Sequence, residues 1–133
     1  MILFSQGSVT TRLAAEHIKS GLFEALAKLG PRQRVLVIPP DFTRFHSQAG
    51  LLTQFVYEYY GDKLAAVLPA LGTHSPMSEK QLREMFGSMP LDLFKVHDWR
   101  NDVITLGTVP PDYVKTIRSE EHTSELQSRS DLV

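Results

Sequence analysis

The sequence predicts an α/β domain built on a mostly parallel sheet with flanking helices. Three observations carry that expectation. Two uninterrupted apolar runs, at residues 35–38 and 64–71, read as buried strands; an amphipathic helical stretch separates them; and a second helical stretch follows. Strand, helix, strand, helix is the order in which parallel strands are joined by crossover helices.

The elements follow along the chain. Residues 2–4 form a short apolar run suited to an edge strand. Between residues 9 and 29, apolar side chains recur at 9, 13, 14, 18, 22, 26 and 29, which is close to helical spacing. Gly21 interrupts this pattern, leaving open either one helix or a loop followed by a helix from near Ser20. Gly30-Pro31 then closes it. Val35, Leu36, Val37 and Ile38 predict a strand buried on both faces, ended by Pro39-Pro40. Leu51, Leu52, Phe55, Val56 and Tyr59 share one helix face, closed by Gly61. The run at 64–71 is the second buried strand and stops at Gly72. Ser78 and Gln81 have the spacing of a capping box, with Leu82, Met85 and Phe86 as the buried face of the helix and Gly87 as its end. Residues 94–96 and 103–106 are expected to be further strands.

Composition narrows the class. A chain of 133 residues suits one domain with a real core, and 42% hydrophobic against 22% charged residues is the balance of an ordinary soluble protein. A net charge of −1 offers no electrostatic footprint for nucleic acid or an acidic membrane surface. The absence of cysteine excludes disulfides and thiolate metal sites, leaving His, Asp and Glu as metal ligands. The N-terminus has no basic region followed by an apolar core, and no apolar run approaches the roughly 18 residues of a membrane span. A cytoplasmic protein with no membrane or nucleic-acid partner is the expectation.

Residues 118–133 stand apart. The string Arg118-Ser-Glu-Glu-His-Thr-Ser-Glu-Leu-Gln-Ser128 has no helical or strand period and resembles the in-frame translation of a common sequencing-library adapter. With two arginines against four acidic residues it carries −2, which leaves +1 on residues 1–117. The tail is expected to be an artefactual, disordered appendage, and His122 is not counted as a ligand. Residues 1–117 are the expected domain, and no closing element is evident after the last predicted strand.

Two loops leave the two clearest strands: residues 39–47, containing Asp41, Thr43, Arg44 and His46, and residues 70–78, containing Gly72, Thr73 and His74. In open α/β sheets, ligands bind beyond the carboxyl ends of the strands, where such loops converge on helix N-termini. Arg44 can take a carboxylate or phosphate by two parallel hydrogen bonds, and Asp41 can hold its guanidinium; the competing reading is a plain surface ion pair. His74 offers an imidazole, the side chain suited to general acid/base work, or else caps its own turn. His97-Asp98 is either a histidine oriented by a carboxylate or a cluster that fixes a loop, beside a Trp99 that anchors packing. His46 is adjacent to the site, and His17 sits among helical apolar positions as a structural residue. No Walker loop, GxGxxG, HExxH or GxSxG occurs. The residues by themselves support an anion-binding α/β site with one candidate acid/base.

Asp41-Phe-Thr-Arg44, followed by Ala70-Leu-Gly-Thr-His74-Ser-Pro-Met-Ser78 at the end of the next strand, resembles the lactate racemase family in order and spacing. His97-Asp98 and the run leading to Gly107 are similar to the family's continuation, so the likeness covers residues 1–117. The resemblance implies the truncated N-terminal Rossmann-like domain of a two-domain 2-hydroxyacid racemase or epimerase. Its cofactor would be a nickel pincer nucleotide, which takes a hydride from the substrate α-carbon and returns it on either face. His74 would be one of two acid/base histidines and Arg44 the ligand of the substrate carboxylate. Asp41, Thr43, Gly72 and Thr73 would lie along the cofactor, with Asp41 supporting Arg44 or that cofactor. His97 and Asp98 receive no role, and no nickel ligand falls within the sequence.

In the family the second histidine, the cofactor-tethering lysine, the nickel histidine and the C-terminal domain lie beyond the matched region. The expectation is therefore that the 133-residue polypeptide neither retains the cofactor nor turns over, although its parent is an enzyme. Phe45-His46 stands where many lactate racemases have prolines, which points away from lactate itself. Two other readings stay open: a metal-dependent hydrolase using His74, His97 and Asp98, and a non-catalytic nucleotide or phosphosugar-binding module using Arg44.

Overall fold

Two short strands lie side by side and parallel in the computed structural model, which describes residues 1–98 and 100–117: β1, Val35–Val37, and β2, Leu64–Val67. Val35 pairs with Leu64, Leu36 with Ala66 and Val37 with Val67, an irregularity after Val35 absorbing the skipped residue. The ladder runs on past β1 and β2, as the Leu68 N–H donates to the Val37 carbonyl and the Ala70 N–H to the Pro39 carbonyl, both at 2.8 Å. Phe94 adds a parallel bridge to Val67 from the other side of β2. The architecture is thus mixed helix and strand around a small parallel sheet. The expectation of a strand at 94–96 is met only as this one bridge.

The chain divides into two units, at residues 1–102 and from Val103 onward. In the first, helices α1 (Ala15–Lys28), α2 (Ala49–Tyr60) and α3 (Glu79–Phe86) accompany the sheet. The core gathers Leu64 and Val67 of β2 with Met85, Phe86 and Met89, and Val35, Val37, Val56, Tyr57 and Leu82 pack around them. Phe86 and Val67 are fully enclosed, each contributing about 1.5–3 kcal/mol through burial. Leu36 and Ile38 alternate to the opposite face of β1 and are 53% and 60% exposed. The expectation of a strand buried on both faces therefore fails: β1 packs on one face only.

Gly21 does not break α1. The helix runs through it, and the Phe4 ring lies so close that a Cβ on Gly21 would overlap it. Residues 2–4 accordingly form no strand; the Leu3 carbonyl accepts from Lys28 Nζ at 2.8 Å, and Phe4 covers the glycine.

Helix α2 is buried on two sides rather than one. Tyr59 meets Phe23 of α1 edge to face at 5.0 Å, and Lys19 of α1 places its ammonium 5.8 Å from the Phe55 ring while pairing with Glu58. Ala49, Val56, Tyr57 and Tyr60 pack on the core, and Leu52, expected inside, is exposed. At the start of α3 the capping box is complete: Ser78 Oγ accepts the Gln81 N–H at 3.3 Å, and Gln81 Oε1 accepts the Ser78 N–H at 2.9 Å.

In the second unit, residues 103–110 are irregular and a short helix, α4 (Pro111–Ile117), follows, with proline in the first helical position. The strand expected at 103–106 does not form. Ile104 and Leu106 are almost fully exposed, and among the described residues no strand pairs with this run. Trp99 and the tail at 118–133 with His122 lie outside the described residues.

Candidate functional site

The site begins with the pairing of the two strand exits. Pro40 and Ala70 form a parallel bridge, so the loops that follow leave the same rim of the sheet side by side. Proline has no N–H and ends its own strand, which lets the chain turn at once into Asp41.

Asp41 opens a short 3-10 segment, Phe42–Ser47, and is 6% exposed. Its Oδ1 accepts two hydrogen bonds from Thr43, the backbone N–H at 3.1 Å and the hydroxyl at 2.5 Å. Its Oδ2 lies 2.6 Å from Nδ1 of His74. Burial pushes the Asp41 carboxyl upward. The bonds from the Thr43 hydroxyl, His74 and the Thr43 N–H, with the charge of His74, outweigh it and hold the group below the ordinary carboxylate range.

His74 comes from the other loop. Gly72 takes a left-handed conformation, φ +57°, and the His74 N–H closes the turn on the Leu71 carbonyl at 2.9 Å. Leu71 is buried and anchors this loop, whereas the His74 side chain is 58% exposed. The histidine is therefore held from behind by a buried carboxylate with the rest of its ring open to solvent. That arrangement suits proton transfer to and from a bound molecule.

The other candidates fall around this pair. Arg44 is exposed, one turn beyond Asp41, since its N–H donates to the Asp41 carbonyl at 3.0 Å. Its guanidinium makes no hydrogen bond or ion pair with the described residues. Asp41 does not hold Arg44, as one sequence reading had it, because both carboxylate oxygens are committed to Thr43 and His74. Of the four residues assigned by resemblance to the cofactor, Asp41 and Thr43 are thus engaged with each other, and Gly72 and Thr73 remain exposed. His46 stands in the same 3-10 segment, its ring edge-on to Phe45 at 5.3 Å.

His97 and Asp98 do not form an oriented histidine. Asp98 Oδ1 accepts the N–H groups of Arg100 and Asn101, and Oδ2 accepts Asn101 Nδ2 at 2.8 Å. The Asn101 side chain first, then those two N–H groups, hold the Asp98 carboxyl below its ordinary value. The cluster fixes a turn. Among the described residues no three His, Asp or Glu side chains gather to hold a metal ion, so His74, His97 and Asp98 make no such centre.

A small pocket of ≈ 80 Å³ is lined by Leu71, Met77, Leu82, Phe94, Lys95 and Val96, so Leu71 and Met77 of the His74 loop border it. Among the described residues no helix is long and apolar enough to cross a membrane.

The aspartate–histidine contact is the relationship within the candidate site that sequence reasoning missed. The signal was present: Asp41 and His74 lie just past the ends of two strands that the α/β pattern makes neighbours. No protein-family model matches the chain, and neither the curated proteins nor the solved structures compared with it give a match.

Proposed function

We propose that this chain carries the acid/base half of a 2-hydroxyacid racemase or epimerase centre of the lactate racemase type. The observation that supports the reading is His74, gripped through Nδ1 by the buried Asp41 carboxylate at 2.6 Å and otherwise open at the sheet rim. A neutral imidazole there takes the proton of a substrate hydroxyl. The charge left on the ring is stabilised by Asp41, and the proton can be returned when the hydroxyl reforms. Arg44, one turn away and uncommitted among the described residues, offers the fork that a substrate carboxylate requires.

In that family a nickel pincer nucleotide supplies the hydride acceptor when bound. The described residues fit it only in part: Gly72 and Thr73 are exposed, Asp41 is buried, Thr43 is exposed but spends its hydroxyl proton on Asp41, and no metal-ligand cluster is present among them. The described residues would contribute binding, orientation and proton movement. Phe45-His46 beside Arg44 points away from lactate itself as the substrate.

The test is an NMR titration of the labelled chain with a series of 2-hydroxyacids and with the same acids lacking the 2-hydroxyl. The hydroxyacids are expected to shift both His74 and Arg44 side-chain resonances, and the deoxy acids Arg44 alone. Hydroxyacids that leave both side chains unmoved at millimolar concentration would overturn the proposal. Inorganic phosphate moving Arg44 where hydroxyacids do not would replace it with a phosphate-binding module.

A further inference from the structure

We infer that Thr43 is a positioning residue that decides which ring nitrogen of His74 acts as the base. The inference rests on the reading of His74 as an acid/base group only for the use made of that nitrogen; the proton placement stands on geometry alone.

An ionised carboxylate only accepts hydrogen bonds, so the nitrogen that touches Asp41 must carry a proton. That nitrogen is Nδ1, 2.6 Å from Oδ2. Neutral His74 is then the Nδ1–H tautomer, and its lone pair sits on Nε2, the nitrogen not in contact with Asp41, on a side chain that is 58% exposed. What keeps Oδ2 in this place is the other oxygen. Thr43 puts both of its donors, the backbone N–H at 3.1 Å and the hydroxyl at 2.5 Å, on Oδ1. Among the described residues no other group bonds to that oxygen. The carboxylate is thereby fixed about its own axis, with one oxygen assigned to Thr43 and the other to His74. The Thr43 hydroxyl has a single proton and uses it here, which takes it out of service as a donor to any ligand.

The same geometry makes a sharper prediction for Asp41→Asn. The two Thr43 donors require an acceptor, so the amide oxygen must take the Oδ1 position. The amide NH₂ then faces His74 and donates to Nδ1, which forces the proton onto Nε2 and removes the exposed lone pair. Without the Thr43 hydroxyl this demand weakens and the amide can turn over.

The experiment is nitrogen-15 NMR of the imidazole in the 133-residue chain, at a pH above the ring's titration, on the wild type, Thr43→Ser, Thr43→Val, Asp41→Asn and the Asp41→Asn/Thr43→Val pair. The wild type and Thr43→Ser should show the Nδ1–H tautomer of His74 in an excess of about tenfold or more, the ratio a charge-assisted hydrogen bond sustains. Thr43→Val should reduce that excess, Asp41→Asn should invert it, and the double variant should fall between the last two. An Nε2–H tautomer in the wild type overturns the inference whatever the variants do. So does Thr43→Val with the wild-type tautomer ratio, or a double variant identical to Asp41→Asn. None of these readouts involves a hydroxyacid, so the inference and the racemase reading can fail separately.

Discussion

Asp41 and His74 are 33 residues apart and in contact at 2.6 Å because the residues immediately before their loops, Pro40 and Ala70, are paired across the sheet. The contact is strongly unequal: Asp41 is almost wholly buried and His74 mostly exposed.

That asymmetry fixes the order of two substitutions. Asp41→Ala strips the partner from two Thr43 donors and from His74, and should cost about 1–3 kcal/mol of folding stability. His74→Ala removes one donor from a carboxylate that keeps two others, and should cost about 1 kcal/mol or less. Urea denaturation of both variants checks the order; an equal or reversed loss would contradict the geometry.

The depressed Asp41 carboxyl predicts an acid dependence. Below its ordinary range, near pH 4, the unfolded chain binds a proton that the folded chain does not, so stability rises with pH there. The contribution is fully present above about pH 4 and is lost as pH falls through the folded-state value. Asp98, also depressed, acts in the same direction. Denaturation midpoints measured from neutral pH into acid should therefore fall less steeply for Asp41→Asn than for the wild type.

Gly50 and Met85 set the spacing of α2 and α3. A Cβ at position 50 would overlap the Met85 backbone carbonyl oxygen, which cannot swing aside as a side chain would. Alanine is ordinarily the better helix residue by up to about 1 kcal/mol, but here Gly50→Ala should destabilise by about 1–3 kcal/mol through forced separation of the helices. A thermal melt decides the sign.

Gln48 precedes α2 with φ 64°, the one non-glycine residue with positive φ among those described. It is exposed, and its side chain forms no cap on the helix. Gln48→Gly should relieve the left-handed strain and raise stability by about 1 kcal/mol, measured by the same melt.

The sequence carried much of this arrangement and withheld the rest for identifiable reasons. The Ser78–Gln81 capping box is a local signal and reappears as structure, while the runs at 35–38 and 64–71 reappear in part, as strands over Val35–Val37 and Leu64–Val67 with a further bridge at Ala70. Gly21 was ambiguous because its role depends on Phe4, a residue seventeen positions away. The run at 103–106 has strand composition, but a strand is a pairing relation and no single segment can encode its partner. The two loops of the site were legible as neighbours at a strand rim. The partner of Asp41 was not, because Arg44 is nearer in sequence and opposite in charge, while the burial that favours His74 is a property of the folded rim.

The double proline at the end of β1 has a consequence beyond stopping a strand. Hydrogen-bonding extension of a sheet edge requires free N–H groups, and neither Pro39 nor Pro40 has one, while the Pro39 carbonyl is already taken by Ala70. An added β-segment therefore meets two positions in a row with no donor at that corner. The missing donors disfavour strand addition next to the loop that opens at Asp41.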